Sequence, residues 1–275
     1  MVPIPGPALD LAEVHSAVRR RRLYFLYHRV SELDCAHSYT LTVEQFRAHV
    51  SVFAEMRGVD CSLWPEVTFD DGHSSNLTLA LPILQAHDLT AKFFVTVGWT
   101  GRRAGYLGWQ DLMALRDAGQ QIGAHGWSHR FLTRCRDEDL NRELLRSRLV
   151  LEDKLGIEIT SMACPGGRYD RRVLSACRAA GYQRVYTSVP RAERLSECFL
   201  VGRLNVRSDM DTEQIRQLTS SGEGLSRLRR RYFAKKIAKT LLSDRIYDRL
   251  WWMFAGNGGG TEDDPERDDD SARYQ

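Results

Sequence analysis

Between residues 23 and 206, short runs rich in β-branched and aromatic residues alternate with stretches whose apolar residues recur every three or four positions. No other feature constrains the fold as tightly, because strands of one sheet that are separated by covering helices run parallel. The runs at 23–27, 67–69, 91–97, 121–124, 159–164, 184–187 and 200–206 read as strands. The stretches at 77–87, 109–118, 137–155 and 171–180 read as helices, the last three closed by Gly119, Gly156 and Gly181. A further helix begins at Thr42-Val43-Glu44-Gln45, which has the spacing of a capping box and puts Phe46, Val50 and Phe53 on one face. The fold class is therefore α/β with about seven parallel strands, one fewer than a regular (β/α) barrel. At 275 residues the chain is long enough to bury a large core.

The second strand ends on Asp70-Asp71-Gly72-His73. Successive side chains on a strand point to opposite faces, so both acids serve one surface only where the strand breaks into a loop, which the glycine permits. Asp-Asp-Gly is also common turn chemistry, and alone it does not separate a site from a polar turn. The fourth strand runs into His125-Gly126-Trp127-Ser128-His129. This spacing predicts two imidazoles one helical turn apart on the same side, close enough to share one ion. A histidine pair four apart is often only a surface feature. Joined to a strand-end carboxylate, it becomes a ligand set that suits zinc or another divalent first-row metal with a position left for water.

Thr68-Phe69-Asp70-Asp71-Gly72 together with His125-x-x-x-His129 resembles the polysaccharide deacetylase family, carbohydrate esterase family four, also called the NodB-homology domain. The resemblance runs from Tyr27-His28 to about Ser188 and takes in Ala80-Leu81-Pro82-Ile83-Leu84, Lys92-Phe93-Phe94-Val95 and Pro165-Gly166-Gly167-Arg168-Tyr169. It implies a deformed, incomplete (β/α) barrel over residues 23–210. It also implies Asp70 as catalytic base and Asp71, His125 and His129 as ligands of a divalent metal, Zn2+ first among the candidates. In barrels of this kind the chemistry sits at the carboxyl ends of the strands, where Asp70, Asp71 and His125 fall.

Two departures from the family pattern matter. The family usually carries a general-acid histidine in a late Leu-x-His pattern, and the late strand here reads Leu200-Val201-Gly202-Arg203-Leu204-Asn205. A permuted branch, which includes poly-N-acetylglucosamine deacetylases, carries that histidine in a Tyr-His pair on the opening strand, and Tyr27-His28 is similar to it. The first and last strands of a closed barrel are neighbours, so His28 is the expected acid. The third family motif usually has an arginine or an aromatic residue around its proline, and here it reads Ala163-Cys164-Pro165-Gly166-Gly167. The partner of the base is then open, with Arg168 and Asp170 as candidates beside the plainer reading of a solvated loop pair. His73, Pro165, Gly166, Arg168 and Tyr169 are expected along the substrate groove.

These groups predict a hydrolase that removes an N-acetyl group from a polysaccharide, an oligosaccharide or a lipid-linked glycan. Asp70 would take a proton from the attacking water, a backbone N–H of the 72–74 turn is a candidate to hold the oxyanion, and His28 would protonate the departing nitrogen. Two other readings stay open: a glycan-binding barrel without activity, and a hydrolase of another non-peptide C–N bond.

Residues 1–22 read as an extension, proline-rich over the first ten. A helical region is expected at 211–256, where residues 223–255 carry nine basic against three acidic residues, interleaved with apolar side chains that include Trp251 and Trp252. Such a pattern suits an anionic membrane surface, or docking on the barrel or on a partner. Nucleic acid is not an expected partner, because no binding module is recognisable and the net charge is only +3. Residues 257–275 hold seven acids against two arginines and read as a disordered tail. The six cysteines are scattered with no C-x-x-C pair, which suits reduced thiols. No run approaches the roughly 18 apolar residues of a membrane span. The expectation is a cytoplasmic protein, peripheral at the inner face of the membrane if residues 223–256 bind lipid.

Overall fold

A computed structural model describes residues 21–34, 37–57, 63–194, 198–234 and 237. The extension up to residue 20, the segment beyond residue 237 and the acidic tail lie outside the described residues. The chain begins with β1 (Arg21–Tyr27), then a short parallel pair, β2 (Arg29–Ser31) and β3 (Thr40–Thr42). The sheet continues with β4 (Leu63–Phe69), β5 (Ala91–Val95), β6 (Gln121–Ala124), β7 (Ser161–Ala163) and β8 (Arg184–Tyr186). It ends with β9 (Glu193–Arg194), β10 (Leu200–Val201) and β11 (Arg203–Asn205). The order is β10-β8-β7-β6-β5-β4-β1-β11, with every pairing along it parallel, and β9 runs antiparallel against β1.

The expected last strand is divided at Gly202, so that β10 pairs with β8 while β11 pairs with β1. Seven strand positions thus form a nearly closed, barrel-shaped sheet. Only glycine suits the break, since a Cβ there would meet the Val189 carbonyl oxygen at 2.5 Å and the Arg191 Cβ at 2.9 Å.

The helix Val43–Arg57 has the expected capping box: the Gln45 amide donates to Thr42 Oγ1 at 3.2 Å and the Thr42 amide to Gln45 Oε1 at 3.0 Å. Phe46 and Phe53 pack against Tyr27 and Phe25 on the outer face of β1, with ring centroids 5.2 and 4.7 Å apart. Tyr27 is therefore a core residue, and its hydroxyl hydrogen-bonds His49 Nδ1 at 3.2 Å. Burial holds the His49 imidazole down at about 4. Unfolded histidine titrates near 6.5, so below that pH the unfolded chain binds a proton that the folded chain refuses. Stability from this group is complete above pH 6.5 and falls as the pH drops towards 4, by about 3 kcal/mol. Urea unfolding between pH 7 and 4 should show that loss in the wild type and a flatter profile in His49→Gln. Parallel profiles would contradict it.

Two of the expected helices are not regular α-helix throughout. The stretch 77–87 begins as a π-turn, Asn76–Ala80, before Leu81–Gln85, and the stretch 137–155 contains a π-turn, Arg142–Arg146, between Asp137–Asn141 and Ser147–Leu155. Each π-turn carries a buried polar side chain, Asn76 and Glu143, that bonds a loop at the strand ends.

Inside the barrel Tyr24, Phe94, Ala163, Tyr186 and Val201 form a small cluster of their own. The division drawn at residue 210 leaves out the helix Thr212–Ser220. That helix packs against Val43–Arg57 through buried Ile215 and Leu218 and an Arg216–Glu55 ion pair of 2.6 Å. Residues 225–234 of the basic region are helical, with Leu225 and Leu228 against the core and Phe233 exposed. No helix among the described residues is long and apolar enough to cross a membrane.

Candidate active site

Alternation along β4 puts Glu66, Thr68 and Asp70 on one side, facing the lumen. Asp71 would then face outward, and the backbone prevents this. Asp71 has φ 73° and Gly72 φ 81°, and this left-handed turn brings both carboxylates to the same mouth of the barrel. A non-glycine residue in that region costs roughly 1–3 kcal/mol, a strain that clusters at functional sites.

His125 directly follows β6, its amide donating to the Val95 carbonyl at 2.8 Å. Its Nδ1 lies 2.9 Å from the Ala163 carbonyl, which fixes the proton on that nitrogen and leaves Nε2 bare, 3.4 Å from Asp71 Oδ1. His129 Nε2 lies 3.2 Å from the same oxygen. The helical turn expected for the two histidines is not formed. Residues 125–130 are a loop with left-handed backbone at Gly126 and His129, and the loop rather than helix geometry brings the rings to 5.1 Å. Glu143 holds it, accepting from the amides of Trp127 at 2.7 Å and Ser128 at 2.9 Å and from the Ser128 hydroxyl.

The residues fit a divalent ion. Asp71 Oδ1 is buried without a hydrogen-bond donor, and one ligand atom each from Asp71, His125 and His129 lies within 4.8 Å of the others.

Asp70 stands beside this cluster, its Oδ2 3.8 Å from His125 Nε2. The Arg203 guanidinium grips it from β11 with two parallel bonds, Nη1 to Oδ1 at 2.6 Å and Nη2 to Oδ2 at 2.7 Å. Arg203 is itself fully buried, donates to the Thr187 carbonyl at 3.1 Å and lies over the Phe94 ring. Burial raises the Asp70 carboxyl, and the Arg203 guanidinium beside it more than offsets this and brings it below its ordinary value.

His28, Arg29, His37, Asp71, Trp99, Tyr106 and His129 line one pocket over the cluster. His28 thus shares the pocket with two of the three ligand side chains, and its Nδ1 is buried without a partner. Asn76 donates to the His28 carbonyl at 2.8 Å and fixes the backbone there.

None of the residues expected along the substrate groove lines this pocket. His73 bonds the Ser75 hydroxyl at 2.8 Å and stands behind Tyr106, with rings 5.8 Å apart. Pro165 is buried, Gly166 makes a left-handed turn against Phe131, and Arg168 stacks on that ring at 4.1 Å. Tyr169 packs against the core. Asp170 caps the helix Arg171–Ala179 by accepting from the Val173 amide at 2.8 Å. Neither Arg168 nor Asp170 is therefore the partner of Asp70, a place that Arg203 takes. The amides of Gly72 and Ser74 donate to the carbonyls of Asp70 and Gly105, so these two N–H groups are committed.

Residues 66–185 match the family model described as polysaccharide deacetylase. The Bacillus subtilis (strain 168) protein YxkH is 26% identical over 126 residues, 46% of this chain and 45% of its own length. The peptidoglycan-N-acetylglucosamine deacetylase PgdA of Listeria monocytogenes serotype 1/2a is 31% identical over 108 residues, 39% of this chain and 22% of its own. The matched stretch thus spans less than half of either relative. Among solved structures, the Streptococcus pyogenes deacetylase PplD in complex with acetate has the same fold, with a TM-score of 0.66 at 18% identity over 73% of this chain and 98% of that one. The motif carboxylates and histidines gathered at the strand ends thus lie within or beside a stretch, residues 66–185, that is similar to the polysaccharide deacetylase family.

Proposed function

We propose that this protein is a metal-dependent deacetylase that removes the acetyl group from an N-acetylated glycan. The reading rests on one observation: a buried, doubly anchored carboxylate, Asp70, adjoins three candidate ligand atoms that lie within 4.8 Å of one another. Asp71, His125 and His129 would hold the ion, and zinc suits one carboxylate and two imidazoles. When bound, such an ion lowers the pKa of water from 15.7 towards about 7 and polarises a carbonyl. Asp70 takes the proton of the water that attacks the acetyl carbon, and Arg203 keeps both its oxygens oriented and its charge in place. An amide anion is a very poor leaving group, so the departing nitrogen needs a proton, and His28, in the same pocket, donates it. Trp99 and Tyr106 narrow the pocket and limit competing water.

The name of the Listeria relative makes N-acetylglucosamine polymers the first substrates to try. The full chain, loaded with Zn2+, should release acetate from N-acetylated oligosaccharides. Dipicolinate should abolish the release and added Zn2+ restore it. No acetate from any N-acetylated glycan by the loaded protein would overturn the reading.

A further inference from the structure

The two histidines of the ligand set are anchored in different ways. His125 is fixed by the sheet, its amide bonded to the Val95 carbonyl and its ring to that of Ala163. His129 lies at the far end of a loop with a left-handed backbone, φ 62°, which a non-glycine residue keeps only where its surroundings hold it. Whatever holds this loop decides whether the third ligand stands in place before an ion arrives.

The loop is gripped from two sides. The amides of Val97 and Gly98 donate to the carbonyls of Gly126 and Trp127 at 3.1 and 2.8 Å. The amides of Trp127 and Ser128 in turn both donate to Glu143 Oε2, and the Ser128 hydroxyl donates to Oε1. Glu143 is only 7% exposed, so these bonds are not shared with water. It sits on the π-turn Arg142–Arg146, an irregularity frequent at functional sites. The same turn supplies Arg146, whose guanidinium lies 3.9 Å over the Trp127 ring. Three donors converging on one side chain suit a carboxylate, which accepts on both oxygens and binds N–H groups about twice as strongly as a neutral acceptor. The approach is close: a Cβ at position 126 would lie 3.1 Å from Oε2.

We propose that Glu143 is a positioning residue of the metal centre. By accepting three hydrogen bonds from Trp127 and Ser128 it holds His129 ready for the ion, and so sets how tightly the chain binds it. This rests on the deacetylase reading and names a residue outside the ligand set on which its metal affinity depends.

The test is calorimetric titration of Zn2+ into the metal-free full chain, with a chromophoric chelator as competitor where binding is too tight to read directly. Glu143→Ala should weaken Zn2+ binding about 10- to 100-fold, the usual effect of removing a group that orients a ligand. Glu143→Gln can still accept from both amides and can turn its NH2 towards the Ser128 oxygen, so it should stay within about fivefold of wild type. A purely structural role would lower the melting temperature of the metal-free chain and leave Zn2+ affinity alone. Affinity within about threefold of wild type in Glu143→Ala would therefore overturn the proposal. If Glu143→Ala does not fold, Glu143→Asp takes its place: it keeps the charge, withdraws the oxygens by one methylene, and should lose about tenfold on the same criterion. Imidazole nitrogen resonances of the metal-free chain read the hold on the loop without the ion. Those of His129 should move in the variant and those of His125 stay, and equal shifts in both rings would assign Glu143 to general packing and overturn the proposal. Should the wild type itself bind no Zn2+, the deacetylase reading falls and the proposal with it, whereas Zn2+ bound alike by wild type and Glu143→Ala sinks the proposal alone.

Discussion

Asp70→Asn is expected to lower kcat by about 10²- to 10⁴-fold, the usual contribution of a positioned general base, while one metal ion per chain remains bound. Asn keeps the shape of the side chain and removes its ability to take a proton at neutral pH. The ligand atoms of Asp71, His125 and His129 are untouched, so binding and turnover should separate. The variant also leaves Arg203 buried with no opposite charge, which costs stability. Its kinetics must be read below its melting temperature. Turnover within twofold of wild type would refute Asp70 as the base.

Arg203→Met is expected to destabilise the fold by about 3–5 kcal/mol, because it strands the buried Asp70 carboxylate without its partner. That is a large part of the 5–15 kcal/mol that typically separates folded from unfolded domains. Methionine fills much of the same volume, so the loss is electrostatic rather than a cavity. The double variant Asp70→Asn/Arg203→Met tests this directly: it should be more stable than Arg203→Met alone, since removing both charges leaves nothing unpaired. Additive losses in the double variant would show that Arg203 stabilises the barrel through packing alone. In either case Arg203→Met should lower kcat with the ion retained, because a base freed from its fork no longer holds one orientation.

The architecture was largely legible in the sequence because strand and helix periodicities differ and each element is short enough to be bounded by its own stop signals. The seven strand positions follow from the alternation, and the capping box at Thr42 and Gln45 forms as its spacing predicts. The division of the last strand at Gly202 was not legible. It depends on which neighbours each half pairs with, and register is a property of the closed sheet.

The candidate site divides in the same way. Asp70, Asp71, His125 and His129 announce themselves by chemistry, and their convergence could be read without a fold. The route to it was misread for the histidines, since i,i+4 spacing suggests a helix and the left-handed backbone at Gly126 and His129 makes a loop. Arg203 was missed because its partner is 133 residues away, across the lumen. Its signal is one arginine inside the otherwise non-polar run from Leu200 to Leu204. Glu143 left a similar mark, a carboxylate on the buried stripe formed by Leu140, Leu144, Ser147 and Leu151.

The central claim is that Asp71, His125 and His129 converge on one divalent ion. Calorimetric titration of Zn2+ into the metal-free chain tests it most directly. One ion should bind per wild-type chain and per Asp70→Asn chain, and binding should be lost in Asp71→Ala and in His129→Ala. Unchanged stoichiometry and affinity in those two variants would contradict the account.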